Sequence, residues 1–311
     1  MQLKGATVAV TGATGFLGRY VVDVLLSRGA HVVGVVRNPE RVPGLVERGV
    51  ELRQANLADR DGLLAGFHGV DAVVSNAALF SLKNVSWQDH VNANVDGTRN
   101  VVEAIAATGV RRVVHVSSVA VYRRRRGPII NEAHRQRSQG RLRLPWTVYP
   151  ISKALSEQLA WRIANERGLE LTTVRPCAIY GAFDANFTTV FRRIMAVPKV
   201  PLSFVPVLAR VPLVYAGDVA EAIALALENP AAVGKAYNIT GDNRSLRQFA
   251  RAWVEAGGPS GSIKLPLPAP IRQRFDNALA KKELGWRNRP LVDALRETFA
   301  LENGHGALGK D

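Results

Sequence analysis

The sequence predicts an α/β fold: a doubly wound parallel sheet followed by a smaller C-terminal domain. Three observations carry this. The first two thirds alternate short β-branched runs with stretches of helical periodicity. The runs are apolar almost throughout, as strands covered on both faces must be. A glycine-rich turn joins the first run to the first helical stretch.

The candidate strands are 7–11, 31–36, 51–54, 72–75, 112–117 and 171–175. Between them, 17–28, 60–67, 91–107 and 151–167 carry apolar residues at helical spacing. After Pro176 the alternation stops and prolines cluster, at Pro198, Pro201, Pro206 and Pro212, then at Pro259, Pro266, Pro268, Pro270 and Pro290. One further strand–helix pair, 212–215 and 218–227, and a short strand at 236–239 resume the alternation. The expected organisation is a cofactor domain over 1–176, with 211–240 returning to it. Residues 177–210 and 241–311 are expected to form a substrate-binding domain.

Composition narrows the functional classes. Of 311 residues, 47% are hydrophobic, enough for a substantial core. Lys and Arg number 41 against 26 Asp and Glu, a net charge of +15. That excess favours anionic partners without choosing among nucleic acid, membrane surface and phosphorylated small molecules. No recognised nucleic-acid motif accompanies it, so no specific nucleic-acid binding is expected. The single cysteine, Cys177, excludes an internal disulfide and a Cys-rich metal site. No metal is expected. No apolar run approaches a membrane span and no targeting segment is visible, so the expected location is cytoplasmic.

The turn Thr11-Gly12-Ala13-Thr14-Gly15-Phe16-Leu17-Gly18 has dinucleotide-loop spacing. Gly12 permits the tight turn, Gly15 lets backbone N–H groups approach a pyrophosphate, and Gly18 lets the helix pack on the strand. Its place, after the first strand and opening a helix, marks a Rossmann nucleotide site. An acid at the end of the second strand would bind the ribose of NAD. Here Val36 is followed by Arg37 and Asn38, and a cation there suits the 2′-phosphate of NADP. NADP(H) is expected over NAD(H).

Tyr149 and Lys153 are four residues apart, on one helix face, with Pro150 read as a first-turn proline. An ammonium beside a phenol lowers the phenol pKa and makes it an acid/base for a carbonyl/alcohol pair. Ser117 and Ser118 end the fifth strand, where open α/β sheets place ligands.

With these residues in order, the chain resembles the extended branch of the short-chain dehydrogenase/reductase family, the NAD-dependent epimerase/dehydratase family. The matching stretches are TGATGFLG (11–18), SNAA (75–78), NVDGTRNVVEA (94–104), VVHVSSVAVY (113–122), YPISKALSE (149–157), RPCAIYG (175–181), AGDVAEAIALAL (216–227) and KKELGW (281–286). The pattern is closer to the hydroxysteroid dehydrogenase and dihydroflavonol reductase branch than to the sugar branch.

The resemblance implies Tyr149 as acid/base, Lys153 on the nicotinamide ribose, Ser118 as the catalytic serine and Asn94 as the structural asparagine of the central helix. It implies that Gly12, Thr14, Gly15, Phe16, Leu17, Gly18, Arg37, Asn56, Leu57, Ala77, Ala78, Tyr149, Lys153 and Pro176 border the cofactor. Asn56-Leu57 stands where the family has Asp-Leu near the adenine. The helices at 91–107 and 151–167 are candidates for a homodimer interface, as in many relatives. A departure from the pattern is the run 123–126, four arginines where a glycine commonly follows Tyr122. A solvated loop is the favoured explanation; the alternative is a site for an anionic group of the substrate, since the run follows the strand that carries Ser118.

The expected activity is hydride transfer between NADP(H) and a ketone or secondary alcohol, with a small-molecule substrate as partner. The alternative on the same fold is a nucleotide-sugar epimerase or dehydratase. A non-catalytic NADP sensor is disfavoured because the Tyr-Lys pair is kept. Sugar members usually place an Arg seven residues before the Asp at 218, where it helps hold the diphosphate. Here that position is Val211, with Arg192, Arg193 and Arg210 as the other candidate cations.

Overall fold

The computed structural model describes residues 1–80, 85–123, 129–138, 145–196, 203–205, 210–241, 243–260, 264–266 and 274–304. Seven parallel strands form the central sheet: β1 (Thr7–Thr11), β2 (His31–Val36), β3 (Glu51–Gln54), β4 (Ala72–Ser75), β5 (Arg112–Val116), β6 (Glu170–Pro176) and a last strand at Ala236–Ile239, in the order β3-β2-β1-β4-β5-β6 and then that strand. The order reverses beside β1, the switch point where such sheets open a crevice at their C-terminal ends. The predicted α/β fold is therefore present.

Helices cover both faces. α1 (Phe16–Ser27), α2 (Pro43–Glu47), α3 (Arg60–Phe67), α4 (Trp87–His90), α5 (Gly97–Ala107) and α6 (Pro145–Arg167) connect the first strands. Along the strands, alternate residues enter opposite cores. Val8, Val10, Val74 and Val114 join the core beneath α1, while Ala9, Val33, Val73, Val113 and Leu171 join the core beneath α5 and α6. That alternation, apolar on both sides, is the physical reason the strands read as unbroken hydrophobic runs.

Beyond β6, β7 (Ala178–Tyr180) pairs in parallel with β9 (Leu213–Tyr215), and β8 (Ser203–Val205) with β11 (Lys264–Pro266). The seventh strand of the main sheet is β10 (Ala236–Ile239), reached through α8 (Ala216–Glu228). Among them lie α7 (Phe187–Ala196), α9 (Leu246–Glu255), α10 (Ala278–Glu283) and α11 (Leu291–Glu302). Arg112, buried on β5, donates to the carbonyls of Ala226 at 2.6 Å, Leu227 at 3.2 Å and Asn229 at 2.6 Å. It thereby satisfies the orphan C=O groups at the end of α8 and places a cation at the negative end of that helix.

Two helices differ from their sequence-based reading by a turn or more. The stretch read as one helix over 91–107 begins with a π-helical turn, Val91–Asp96, before α5 continues it. Such wide turns gather at functional sites, and Asn94 sits in this one. α6 starts at Pro145, not at 151, so Pro150 lies inside the helix and not in its first turn. Among the described residues no helix is long and apolar enough to cross a membrane, and no cluster of His, Cys, Asp and Glu fits a metal ion.

Candidate active site

The glycine turn has the geometry its sequence demands. Gly12 has φ +67°, and a Cβ there would stand 3.0 Å from the Cα of Ala77. A Cβ on Gly18 would fall 2.0 Å from the carbonyl oxygen of Gly12, so only glycine lets α1 lie this close to the turn. Gly15 caps α1 with no side-chain hydrogen bond. The first N–H groups of the helix therefore face outward without a side-chain cap, which is what a pyrophosphate requires. Thr14, Phe16 and Leu17 are neighbours in this turn, and Phe16 packs edge-on against Tyr20 at 5.9 Å. These residues fit a dinucleotide.

The neighbouring strand ends complete the cleft. The Thr11 hydroxyl accepts from the backbone N–H of Asn76 at 3.0 Å and of Ala77 at 3.1 Å, drawing the end of β4 toward β1 and placing Ala77 and Ala78 beside the turn. Arg37 is exposed just past β2. Asn56 spends its side chain on the Ala58 N–H at 2.8 Å, and the Leu57 carbonyl accepts from Asn100 of α5 at 2.8 Å.

Tyr149, Lys153 and Ser118 meet at the C-terminal ends of β5 and β6. The Ser118 hydroxyl lies near the Tyr149 phenol, accepts from the Ala120 N–H at 3.1 Å and donates to the Pro176 carbonyl at 3.4 Å. Lys153 is buried, and its Nζ donates to the Val116 carbonyl at 2.9 Å. Burial pushes its ammonium down to about 8, with Glu157 one turn on opposing the shift. The expectation that Lys153 lowers the Tyr149 pKa does not hold in this geometry. Burial pushes Tyr149 up to about 12, with the nearby Ser118 hydroxyl opposing the shift, and the lysine ammonium is turned to Val116.

Asn94 clamps the site from the other side. Its Oδ1 accepts from the Leu79 N–H at 2.7 Å, and its Nδ2 donates to the Leu79 carbonyl at 3.1 Å and the Ser152 hydroxyl at 3.0 Å. The chain after β4 is thus tied to α6 through one side chain.

Two neighbours of Tyr149 escape sequence reasoning: Phe80, whose ring lies 4.9 Å away edge-on, and His90, 6.2 Å away. Phe80 borders the SNAA stretch, but nothing in the sequence signals its contact. Beneath the site, Arg175 and Glu157 form a buried ion pair, with Nε at 3.0 Å and 3.1 Å from the two carboxylate oxygens. The same guanidinium donates to the Tyr122 hydroxyl at 2.7 Å. Of the arginine run, Arg123 is exposed, and its N–H donates to the Arg135 carbonyl at 3.0 Å. The other three arginines lie outside the described residues.

A parallel sheet with its order reversed at a glycine turn, and a tyrosine, lysine and serine at the neighbouring strand ends, defines a dinucleotide-dependent enzyme class. The model of the NAD dependent epimerase/dehydratase family matches residues 8–240, and the chain belongs to that family. It is an NAD(P)-dependent oxidoreductase. Sterol demethylase protein B of Methylococcus capsulatus is 32% identical over 86% of this chain and 83% of its own length. Cinnamoyl-CoA reductase 1 of Oryza sativa subsp. japonica is 34% identical over 97% of this chain and 91% of its own. The crystal structure of gox2253 superposes with a TM-score of 0.79 at 28% identity, covering 97% of this chain and 99% of that one. The resemblance read from the motifs and the α/β fold both stand.

Proposed function

We propose that this protein transfers a hydride between NADP(H) and a ketone or secondary alcohol whose body is apolar. The observation that carries the reading is the juxtaposition of Ser118, Tyr149 and the seated Lys153 at the strand ends where such sheets bind ligands. The bound cofactor supplies or accepts the hydride. In the reducing direction the Tyr149 hydroxyl gives its proton to the carbonyl oxygen and Ser118 holds that oxygen by a hydrogen bond. Lys153, seated on the Val116 carbonyl, binds the ribose of the nicotinamide. Gly12, Thr14, Gly15, Phe16, Leu17 and Gly18 take the pyrophosphate, and Ala77, Ala78, Asn56, Leu57 and Pro176 line the rest of the cofactor groove. Arg37, exposed past β2, favours the 2′-phosphate of NADP.

The substrate reading rests on what stands near 211. Val211 supplies no donor. Arg192 is held by Glu302 and lies over Trp253, its guanidinium carbon 5.8 Å from the ring centroid, while Arg210 donates to the Asn243 carbonyl at 2.9 Å. Of the candidate cations, Arg192 is thus committed to an ion pair and a ring, and the exposed Arg210 to a backbone carbonyl. Relatives named for sterol and cinnamoyl substrates support an apolar body. A homodimer through α5 and α6 would join faces carrying Arg99, Gln158 and Arg162, so that interface would be polar.

The test pairs two panels in the presence of NADP(H). Aryl and alicyclic ketones are followed by NADPH absorbance, and uridine and thymidine diphosphate sugars by calorimetry. The reading expects turnover of ketones and no tight sugar binding. Tight binding of a diphosphate sugar that Arg210→Ala removes would overturn it in favour of an epimerase or dehydratase.

A further inference from the structure

A row of polar side chains crosses the otherwise apolar sheet face beneath α5 and α6. Thr11, Ser75, His115 and Thr173 are register partners on β1, β4, β5 and β6, and in a parallel sheet register partners point to one face. All four are buried. One residue pair nearer the strand N-termini, the same face is Ala9, Val73, Val113 and Leu171. The row therefore marks the level at which the apolar core gives way to the site.

The Ser75–His115 pair is also the last rung between β4 and β5. Beyond it β4 leaves the ladder, because the N–H groups of Asn76 and Ala77 turn to the Thr11 hydroxyl. β5 continues, and the Ser117 N–H bonds the Val174 carbonyl of β6 at 2.8 Å. Across that peptide the Val116 carbonyl points the other way, toward the gap that β4 has left, and there it accepts Lys153 Nζ at 2.9 Å. At the lip of the gap the two strands are joined by side chains: His115 Nδ1 and Ser75 Oγ share a hydrogen bond at 3.2 Å.

We propose that the Ser75–His115 pair is a staple across the point where β4 and β5 part, and that it fixes the Val116 carbonyl on which Lys153 is seated. Both are positioning residues for Lys153; neither touches the reacting atoms. The inference rests on the proposed role of Lys153 in that it gives the seat a purpose, but the seat itself is a structural statement. A valine at 115 would fill the core more cheaply. His115 is fully buried, and no hydrogen bond reaches its Nε2 among the described residues, a cost that packing alone does not explain. Burial and the nearby Lys153 charge keep its ring neutral, so it adds no second cation beside the ammonium. The other ionisable groups around Lys153 are Tyr149 one turn before it and Glu157 one turn after, the latter already committed to Arg175.

The test reads Lys153 without turnover. Acetylation of Lys153 by acetic anhydride across pH, resolved by mass spectrometry, gives its reactivity and its titration midpoint. NADPH affinity is measured by fluorescence and stability by thermal melting. In His115→Leu and in Ser75→Ala, Lys153 leaves its seat and meets water. Its labelling at neutral pH rises about tenfold, the midpoint climbs toward that of ordinary lysine, and NADPH binds about tenfold more weakly, as when an outer partner of a site is lost. His115→Asn, whose Nδ2 stands where the ring Nδ1 was, stays near wild type. The double variant is no worse than either single one, because both break one bond. If both variants lose melting temperature yet keep wild-type Lys153 labelling and NADPH affinity, the staple is only structural and the inference fails. His115→Asn behaving like His115→Leu overturns it equally. Ser75→Ala removes one hydroxyl and is the safeguard should His115→Leu not fold. Failure of the ketone reading would appear in the substrate panels and leave the labelling result intact.

Discussion

Replacing Gly18 by alanine sets two effects of known sign against each other. Gly18 is the third residue of α1, where alanine in place of glycine gains about 1 kcal/mol of helix propensity. The added Cβ, however, would stand 2.0 Å from the Gly12 carbonyl oxygen and 2.9 Å from the backbone of Ala13. Closest approaches below 3.0 Å are essentially unknown for real Cβ atoms, so the helix and turn must separate by about 1 Å, and backbone cannot rotate away as a side chain can. Overpacking of this kind costs about 3 kcal/mol at the upper end of the usual range. The net loss is about 2 kcal/mol, roughly 3 °C in Tm for a chain of this size. The turn that opens is the one that presents N–H groups to the pyrophosphate, so NADPH affinity falls at least ~10-fold, or about 1.4 kcal/mol. The contrast is Gly15→Ala, where the Cβ meets only the Gly12 oxygen at 3.2 Å and φ is −72°. That variant should melt near wild type while still binding NADPH more weakly. Thermal melting and NADPH fluorescence titration decide. Wild-type melting and affinity in Gly18→Ala would refute the close-packed turn.

Three further outcomes follow from the same contacts. Arg37→Asp should shift cofactor preference toward NAD, read as the ratio of the two dissociation constants; equal affinity for both cofactors in the wild type would contradict the phosphate assignment. Glu157→Gln should destabilise the fold by about 3–5 kcal/mol in urea melts, because it leaves the buried Arg175 guanidinium without its counter-charge. Asp218, whose carboxylate accepts from the Arg289 N–H at 2.9 Å, is pushed up to about 6 by burial. The folded state therefore holds that proton more tightly than the unfolded chain, so its contribution to stability is lost as pH rises from about 4 through about 6. Asp218→Asn should flatten the pH dependence of the melting temperature in that window.

The strand–helix alternation was legible because both-face burial writes itself as apolar runs, and β10 coincides with the strand expected at 236–239. The π turn at Val91–Asp96 was not, since six residues are too few to separate its period from that of an ordinary helix. The first turn of α6 was hidden by Pro150, which reads as a boundary because it lacks an N–H. α9 opens on a capping box, Ser245 with Gln248, a local signal that marks a helix start. At the site, residue types and order announced Ser118, Tyr149 and Lys153. The direction in which Lys153 points depends on where β4 leaves the sheet, a tertiary fact with no local pattern. The same holds for Phe80 and His90 against Tyr149.

The proposed chemistry is tested most sharply by following the hydride itself. NADPH carrying deuterium at both nicotinamide C4 positions is incubated with an aryl or alicyclic ketone and the enzyme in a single turnover, and the product alcohol is examined by mass spectrometry. Hydride transfer in this site predicts one deuterium at the carbinol carbon, delivered to one face from one of the two C4 positions. It also predicts that Tyr149→Phe binds NADPH as before yet loses a factor of ~10²–10⁴ in rate. Wild-type rates in Tyr149→Phe, or an alcohol free of deuterium, would contradict the assignment of Tyr149 and of the reaction.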